Sequence, residues 1–153
     1  MHGLTLGGFV LTSLVAGILG AGAMEATMAL VTRFGSGRGN MVVALGSLVT
    51  RERVGAARVG AIIHVAAAFV FSALYVLVMA RVGVSGLPAT LGLGAGLGFF
   101  HGMVVSLLLV WIVAEHHPLV EFQDADLAIG LCHLAGHVAF GVMVGIVAGV
   151  ALP

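Results

Sequence analysis

The chain has 153 residues, 61% of them hydrophobic and only 8% charged, with six arginines, no lysine, six acidic residues and a formal net charge of +0. A soluble domain carries about 25% charged residues. This composition, with a mean hydropathy of +1.23, therefore excludes an ordinary soluble enzyme, a disordered tail and a nucleic-acid binder, which needs a basic face. One cysteine excludes an internal disulfide framework. What remains is an all-α integral membrane protein, and the chemistry-bearing residues have to be sought inside its spans.

Crossing a bilayer as a helix takes about 20 apolar residues. Four stretches qualify: 9–32, 56–80, 87–114 and 127–151. They read as a four-transmembrane-helix bundle forming one domain over 1–153. No segment alternates polar and apolar residues over a strand's length, so a membrane barrel is excluded. The first span has no basic flank ahead of it and is too long for the core of a cleaved signal peptide. The connection after it holds Arg38, Arg51 and Arg53 between Arg33 and Arg58. Its apolar middle, 41–49, is too short to cross and is expected to lie in the interface or re-enter. Gly35-Ser36-Gly37-Arg38-Gly39 has the composition of a phosphate loop, but no strand precedes it and no Lys-Ser or Lys-Thr follows. The turn at 82–86 is short and carries Arg81. The third connection, 115–126, is acidic. The first and third connections share one side and hold five of the six arginines, so the positive-inside rule places that side in the cytoplasm and both termini outside an inner membrane.

Five ionisable groups lie within the spans: Glu25, His64, His101, His133 and His137. Each costs roughly 2.5–3.5 kcal/mol to insert on translocon scales, so mutual compensation is expected. At a rise of 1.5 Å per residue, Glu25, His64 and His133 fall about 12, 9 and 10 Å in from the arginine-rich side; His137 is a turn deeper and His101 about 21 Å in. Residues four apart share a helix face. Ser13, Gly17, Ala21 and Glu25 form one such column. Gly60, His64, Ala68 and Ser72 form a second, and Gly94, Gly98 and His101 or Gly102 a third. The fourth holds Gly130, His133, His137, Gly141 and Gly145. Small residues mark the faces on which membrane helices approach closely, so the ionisable groups are expected on the packing faces. The halves also align as tandem helix pairs, with Glu25 matching His101, His64 matching His133 and Phe71 matching Phe140.

Imidazole suits Zn, Cu, Fe and Ni, and a carboxylate adds a hard anionic ligand. The first expectation is a transition-metal site built from Glu25, His64, His101, His133 and His137, with His133 and His137 chelating from one helix face. Met28 is expected to face inward and Met24 the lipid. A second reading is haem b held by two histidines on different helices, drawn from His64, His101, His133 and His137, as in an electron-transfer subunit. A third is a proton or ion path, since Glu and His chains mark proton relays. A fourth is a structural subunit of a larger membrane complex or a homo-oligomer, the histidines serving as interhelical hydrogen-bond donors. No Ser-His-Asp or Cys-x-x-Cys arrangement points to catalysis. Elsewhere, Glu115-His116-His117-Pro118 reads as a helix C-terminus, and with Glu121, Asp124 and Asp126 as a place where cations gather. Cys132 reads as a packing residue, Trp111 as an interfacial anchor and His2 as a weak terminal copper ligand.

Overall fold

The computed structural model describes residues 5–33 and 40–152. His2, Arg38 and the Gly35–Gly39 stretch lie outside the described residues. Four helices are long and apolar enough to cross a membrane: α1 (Leu6–Arg33), α3 (Ala56–Val82), the run Leu87–Val113 and α5 (Leu127–Ala151). The third begins as α4 (Leu87–Leu108) and ends in a π turn, Leu109–Val113, closed by the Ala114 N–H on the Leu109 carbonyl at 2.9 Å. These bounds follow the apolar runs read from the sequence. No strand occurs among the described residues, and the protein is a multi-pass α-helical membrane protein.

The apolar middle of the first connection forms α2 (Met41–Thr50), a helix too short to cross. Asn40 starts it by accepting from the Val43 N–H at 3.2 Å, and Arg51 ends it in the left-handed conformation, with φ of 58°. Gly55, at φ 76°, then turns the chain into α3. The two helices run antiparallel with their backbones in contact. A Cβ on Gly46 would overlap the Ala56 carbonyl, and one on Gly60 the Val42 carbonyl. The short helix therefore packs back alongside the start of α3 and covers the arginine-rich end of the bundle. Gly83 and Gly86, at φ 74° and 79°, make the tight α3–α4 turn, and Pro88 lies in the first turn of α4.

α5 is the central helix and packs along both α4 and α1; α1 also packs on α3. The α4–α5 contact is backbone on backbone. Cβ atoms on Gly94, Gly98, Gly141 and Gly145 would each meet main-chain atoms of the partner helix. The small-residue columns of the third and fourth spans are thus one interface seen from its two sides. Hydroxyl groups join the helices too: Ser72 donates to the Ser13 carbonyl at 2.7 Å and Ser106 to the Gly130 carbonyl at 2.7 Å. Such bonds contribute about 0.6 kcal/mol each in a membrane protein. A strict two-fold relation between the halves would make α3 meet α4 as α1 meets α5. It does not: α3 and α4 make few contacts.

The buried stripe of α1 runs through Ser13, Gly17, Gly20, Met24 and Met28. The side chain of Glu25 is 50% exposed, so the expected column ends off the packing face. Met24, expected toward lipid, is buried at 4% exposure, and Met28 is buried as expected. The reason lies on α5, where Gly136 leaves a hollow that the two methionine side chains fill.

The Arg53–Glu121 pair links the α2–α3 connection to the segment after α4, with side chains 64% and 47% exposed. Exposed pairs contribute little, about 0–1 kcal/mol. Arg53→Ala is therefore expected to leave the thermal midpoint in detergent essentially unchanged, measured by circular dichroism; a large drop would show that this bridge clamps α2 in place.

Candidate functional site

The looseness between α3 and α4 leaves a cavity of about 400 Å³ within the bundle. α2 and the segment after α4 cover it at the arginine-rich end. Its innermost lining residues are Phe71 on α3, His101 on α4 and Phe140 on α5. Four of the five sequence-predicted residues, His64, His101, His133 and His137, line this space, together with Met24. Glu25 lies outside it, in a second hollow bounded by Thr32 and Met41, and reaches His64 at 3.3 Å between Oε1 and Nε2. That contact is at ion-pair distance but not in hydrogen-bonding alignment, and Nε2 of His64 is otherwise buried without a partner among the described residues.

The remaining three imidazoles share one arrangement. His133 Nδ1 sits 2.8 Å from the Ile129 carbonyl and His137 Nδ1 2.8 Å from the His133 carbonyl, each one turn back on α5. A carbonyl only accepts, so both Nδ1 atoms carry the proton. On α4, His101 Nδ1 lies 3.1 Å from the Tyr75 hydroxyl, which itself lies 3.0 Å from the Leu97 carbonyl. The Tyr75 hydroxyl thus holds Nδ1 of His101, and which of the two donates to the other depends on the His101 tautomer. In the neutral rings of His133 and His137 Nε2 is left as a lone pair, and in all three rings Nε2 has no protein partner among the described residues. Tying down one ring nitrogen in this way is how proteins orient a histidine whose other nitrogen binds a ligand.

The rings of His101 and His137 are in edge contact, with centroids 4.6 Å apart and planes at 77°. Phe71 packs on the other side of His101 at 3.9 Å between centroids. His133, a turn back along α5, is within electrostatic reach of Glu25 and His64. The expected five-residue cluster is thus not assembled: the groups fall into two close pairs, Glu25 with His64 and His101 with His137, with His133 one turn before His137 on α5. Among the described residues, no three His, Cys, Asp or Glu side chains converge at the mutual distances of a formed metal site.

Two roles escaped the sequence reading, that of Tyr75 and the contact His117 makes with α2. Tyr75 fixes His101 and bridges α3 to α4. Its signal was its spacing: it follows His64 by eleven residues, three helical turns, on nearly the same face of α3. The second is His117, which is 3% exposed. Its Nδ1 accepts the Leu119 N–H at 3.1 Å, and its Nε2 donates to the Ala44 carbonyl of α2 at 3.1 Å. It pins α2 over the cavity. His116 behaves as a helix C-terminal residue, with Nδ1 2.9 Å from the Ile112 carbonyl. Of the acidic residues after it, Glu121 and Asp124 line the cavity mouth, whereas Asp126 caps α5 by accepting from the Ile129 N–H at 2.9 Å. Cys132 is a buried packing residue, its Sγ 3.9 Å from the Met28 carbonyl. Trp111, at 69% exposure, faces outward from the π turn. No family model, curated protein or solved structure matches this chain.

Proposed function

We propose that this membrane protein binds a transition-metal ion in its cavity, with His101 and His137 as the nucleus of the site. The observation that carries this reading is the pairing of those two rings, each with Nδ1 occupied and Nε2 free. At metal–nitrogen bonds of about 2.0–2.1 Å, two imidazoles on one tetrahedral ion stand about 5.2 Å apart between ring centres. The 4.6 Å separation of this pair is shorter than that, so the rings part by about half an ångström to seat an ion. The same rings are too close to sandwich a haem, whose two axial imidazoles stand farther apart across the iron, so the pair supports direct ligation over haem b. His133 and His64 supply further ligands by side-chain rotation into the shared cavity. Glu25 serves as the carboxylate that orients His64 and offsets the charge of the ion. Neutral imidazoles leave Zn, Cu, Fe and Ni as the candidate ions.

The arginine distribution favours an inner-membrane orientation with the long Arg-bearing connection and α2 on the cytoplasmic side and both termini outside. The bilayer is then the surrounding partner, and the α3–α4 side, poorly filled within one chain, is where a second copy or a larger complex would pack.

The test is elemental analysis with an absorption spectrum on untagged protein purified in mild detergent and incubated with each candidate ion. Near-stoichiometric Zn, Cu, Fe or Ni is expected, without a Soret band. Protein that retains none of the four ions after incubation overturns the reading. A supporting variant is Tyr75→Phe, which removes the hydroxyl holding His101. It is expected to weaken metal binding by about 10–100-fold, as lost outer-shell partners do, while the stoichiometry at saturating metal stays unchanged. An unaltered affinity would take Tyr75 out of the site.

A further inference from the structure

A metal ion leaves most of the cavity unexplained. One water takes up about 30 Å³ of liquid volume, so a space of about 400 Å³ holds far more than an ion and its ligand atoms. It falls in the range of about 300–1,000 Å³ occupied by small-molecule sites, which are mostly apolar with a few placed polar groups. Here Ile63, Ala67 and Phe71 line it from α3 and Val105, Leu108 and Leu109 from α4. Those two helices make few contacts, and the side-chain bridge between them is at Tyr75 and Phe71, deep in the bundle. The cavity therefore communicates with the lipid between α3 and α4. Opposite this opening stand the Nε2 atoms of His133 and His137 on α5. They accept hydrogen bonds and cannot donate while Nδ1–H stays on its carbonyl.

We propose that the cavity takes a lipid-soluble molecule headed by a hydroxyl group, an alcohol or phenol with an apolar body, which enters sideways from the bilayer between α3 and α4 and donates its O–H to an imidazole Nε2. A ketone or ester head is not held by His133 or His137, because it would present an acceptor to an acceptor. An unadorned acyl chain would leave the imidazoles without partners. This inference shares residues with the metal reading but does not depend on it: a free Nε2 takes the O–H in metal-free protein, and a bound ion uses only some of the nitrogens.

The experiment uses the full chain in lipid nanodiscs with two photoreactive probes, a long-chain alcohol carrying a diazirine and the methyl ether of the same alcohol. A phenol-headed version of each is run in parallel. Crosslinked residues are mapped by mass spectrometry, before and after metal removal with a chelator. Labelling of Ala67, Phe71, Val105 and Leu108 is expected to be about tenfold stronger for a hydroxyl probe than for its ether, the factor that one hydrogen bond of ~1.4 kcal/mol supplies. That preference is expected to persist in chelated protein. Equal labelling by hydroxyl and ether overturns the proposal and leaves acyl-chain space. Labelling confined to outward residues such as Ile62, Val65, Phe99 and Phe100 also overturns it. Ala67→Trp, which fills the opening, is expected to abolish cavity labelling and spare the outward positions. Protein that keeps the hydroxyl preference but retains none of the four ions after incubation would sink the metal reading alone.

Discussion

Gly141→Ala is expected to lower the stability of the bundle by about 3 kcal/mol or more, at the top of the range for overpacked cores. The added methyl would land on the Gly94 carbonyl. That neighbour is main chain inside a helix and has no rotamer to change, so relief comes only from moving α4 away from α5. The separation would also open the contact between Gly98 and the His137 carbonyl and displace one of the paired rings. Gly96→Ala is the control. Its Cβ would meet nothing within 4 Å, so the same methyl on the partner helix α4 is expected to leave the midpoint in place or raise it slightly. Thermal unfolding in detergent, followed by circular dichroism, distinguishes the two. Equal midpoints for both variants would mean that α4 and α5 do not touch through their glycines.

His137→Ala is expected to reduce bound metal from near-stoichiometric to near zero while the protein still folds. The ring is buried, and its truncation leaves a hollow beside a cavity that already exists, so the loss of packing is small compared with the loss of a ligand. His64→Ala is expected to retain metal at saturation with weakened affinity, because His64 belongs to the other pair. Elemental analysis after buffer exchange gives the first result and a competition titration against a chelator the second. Full metal content in H137A would remove the His101–His137 pair as the nucleus.

The span boundaries were legible because uncharged runs of the right length have few other fates. The packing faces of α4 and α5 were legible for a different reason. Gly94, Gly98 and Gly102 mix with Gly141 and Gly145 into a contact so close that no larger residue fits, and that constraint is written directly into residue identity. Glu25 shows where the same argument fails. Each four-residue step on a helix advances about 400°, so a column drifts by about 40° per step. From Ser13 to Glu25 that is three steps, about 120°, enough to carry the carboxylate off the face that Ser13 shares with α3. Gly17, Gly20, Met24 and Met28, spaced three, four and four apart, stay on it.

The histidines were located by their cost in lipid, but their pairing was not legible. Which ring meets which depends on helix neighbours, and α3 packs on α1 more than on α4 for no reason visible in the string of residues. The role of His117 in holding α2 was hidden because it acts at long range: its partner, Ala44, is 73 residues away and contributes only a carbonyl. The arrangement that singles out three of the rings, an Nδ1 held by a partner, is likewise a matter of backbone position and of one tyrosine on another helix.

The central position of α5 has a consequence for how the chain is made. Membrane helices insert largely one at a time and associate afterwards. α1, α3 and α4 leave the translocation machinery before the helix that joins them has been synthesised, and α4 then has almost nothing to hold. Until α5 arrives, Glu25, His64 and His101 sit in the bilayer without the two histidines that complete their surroundings. Docking of α4 onto the α1–α3 pair is therefore withheld until α5 enters, and a chain interrupted before residue 127 leaves α4 unattached with its histidine in lipid, the kind of species that membrane quality control removes.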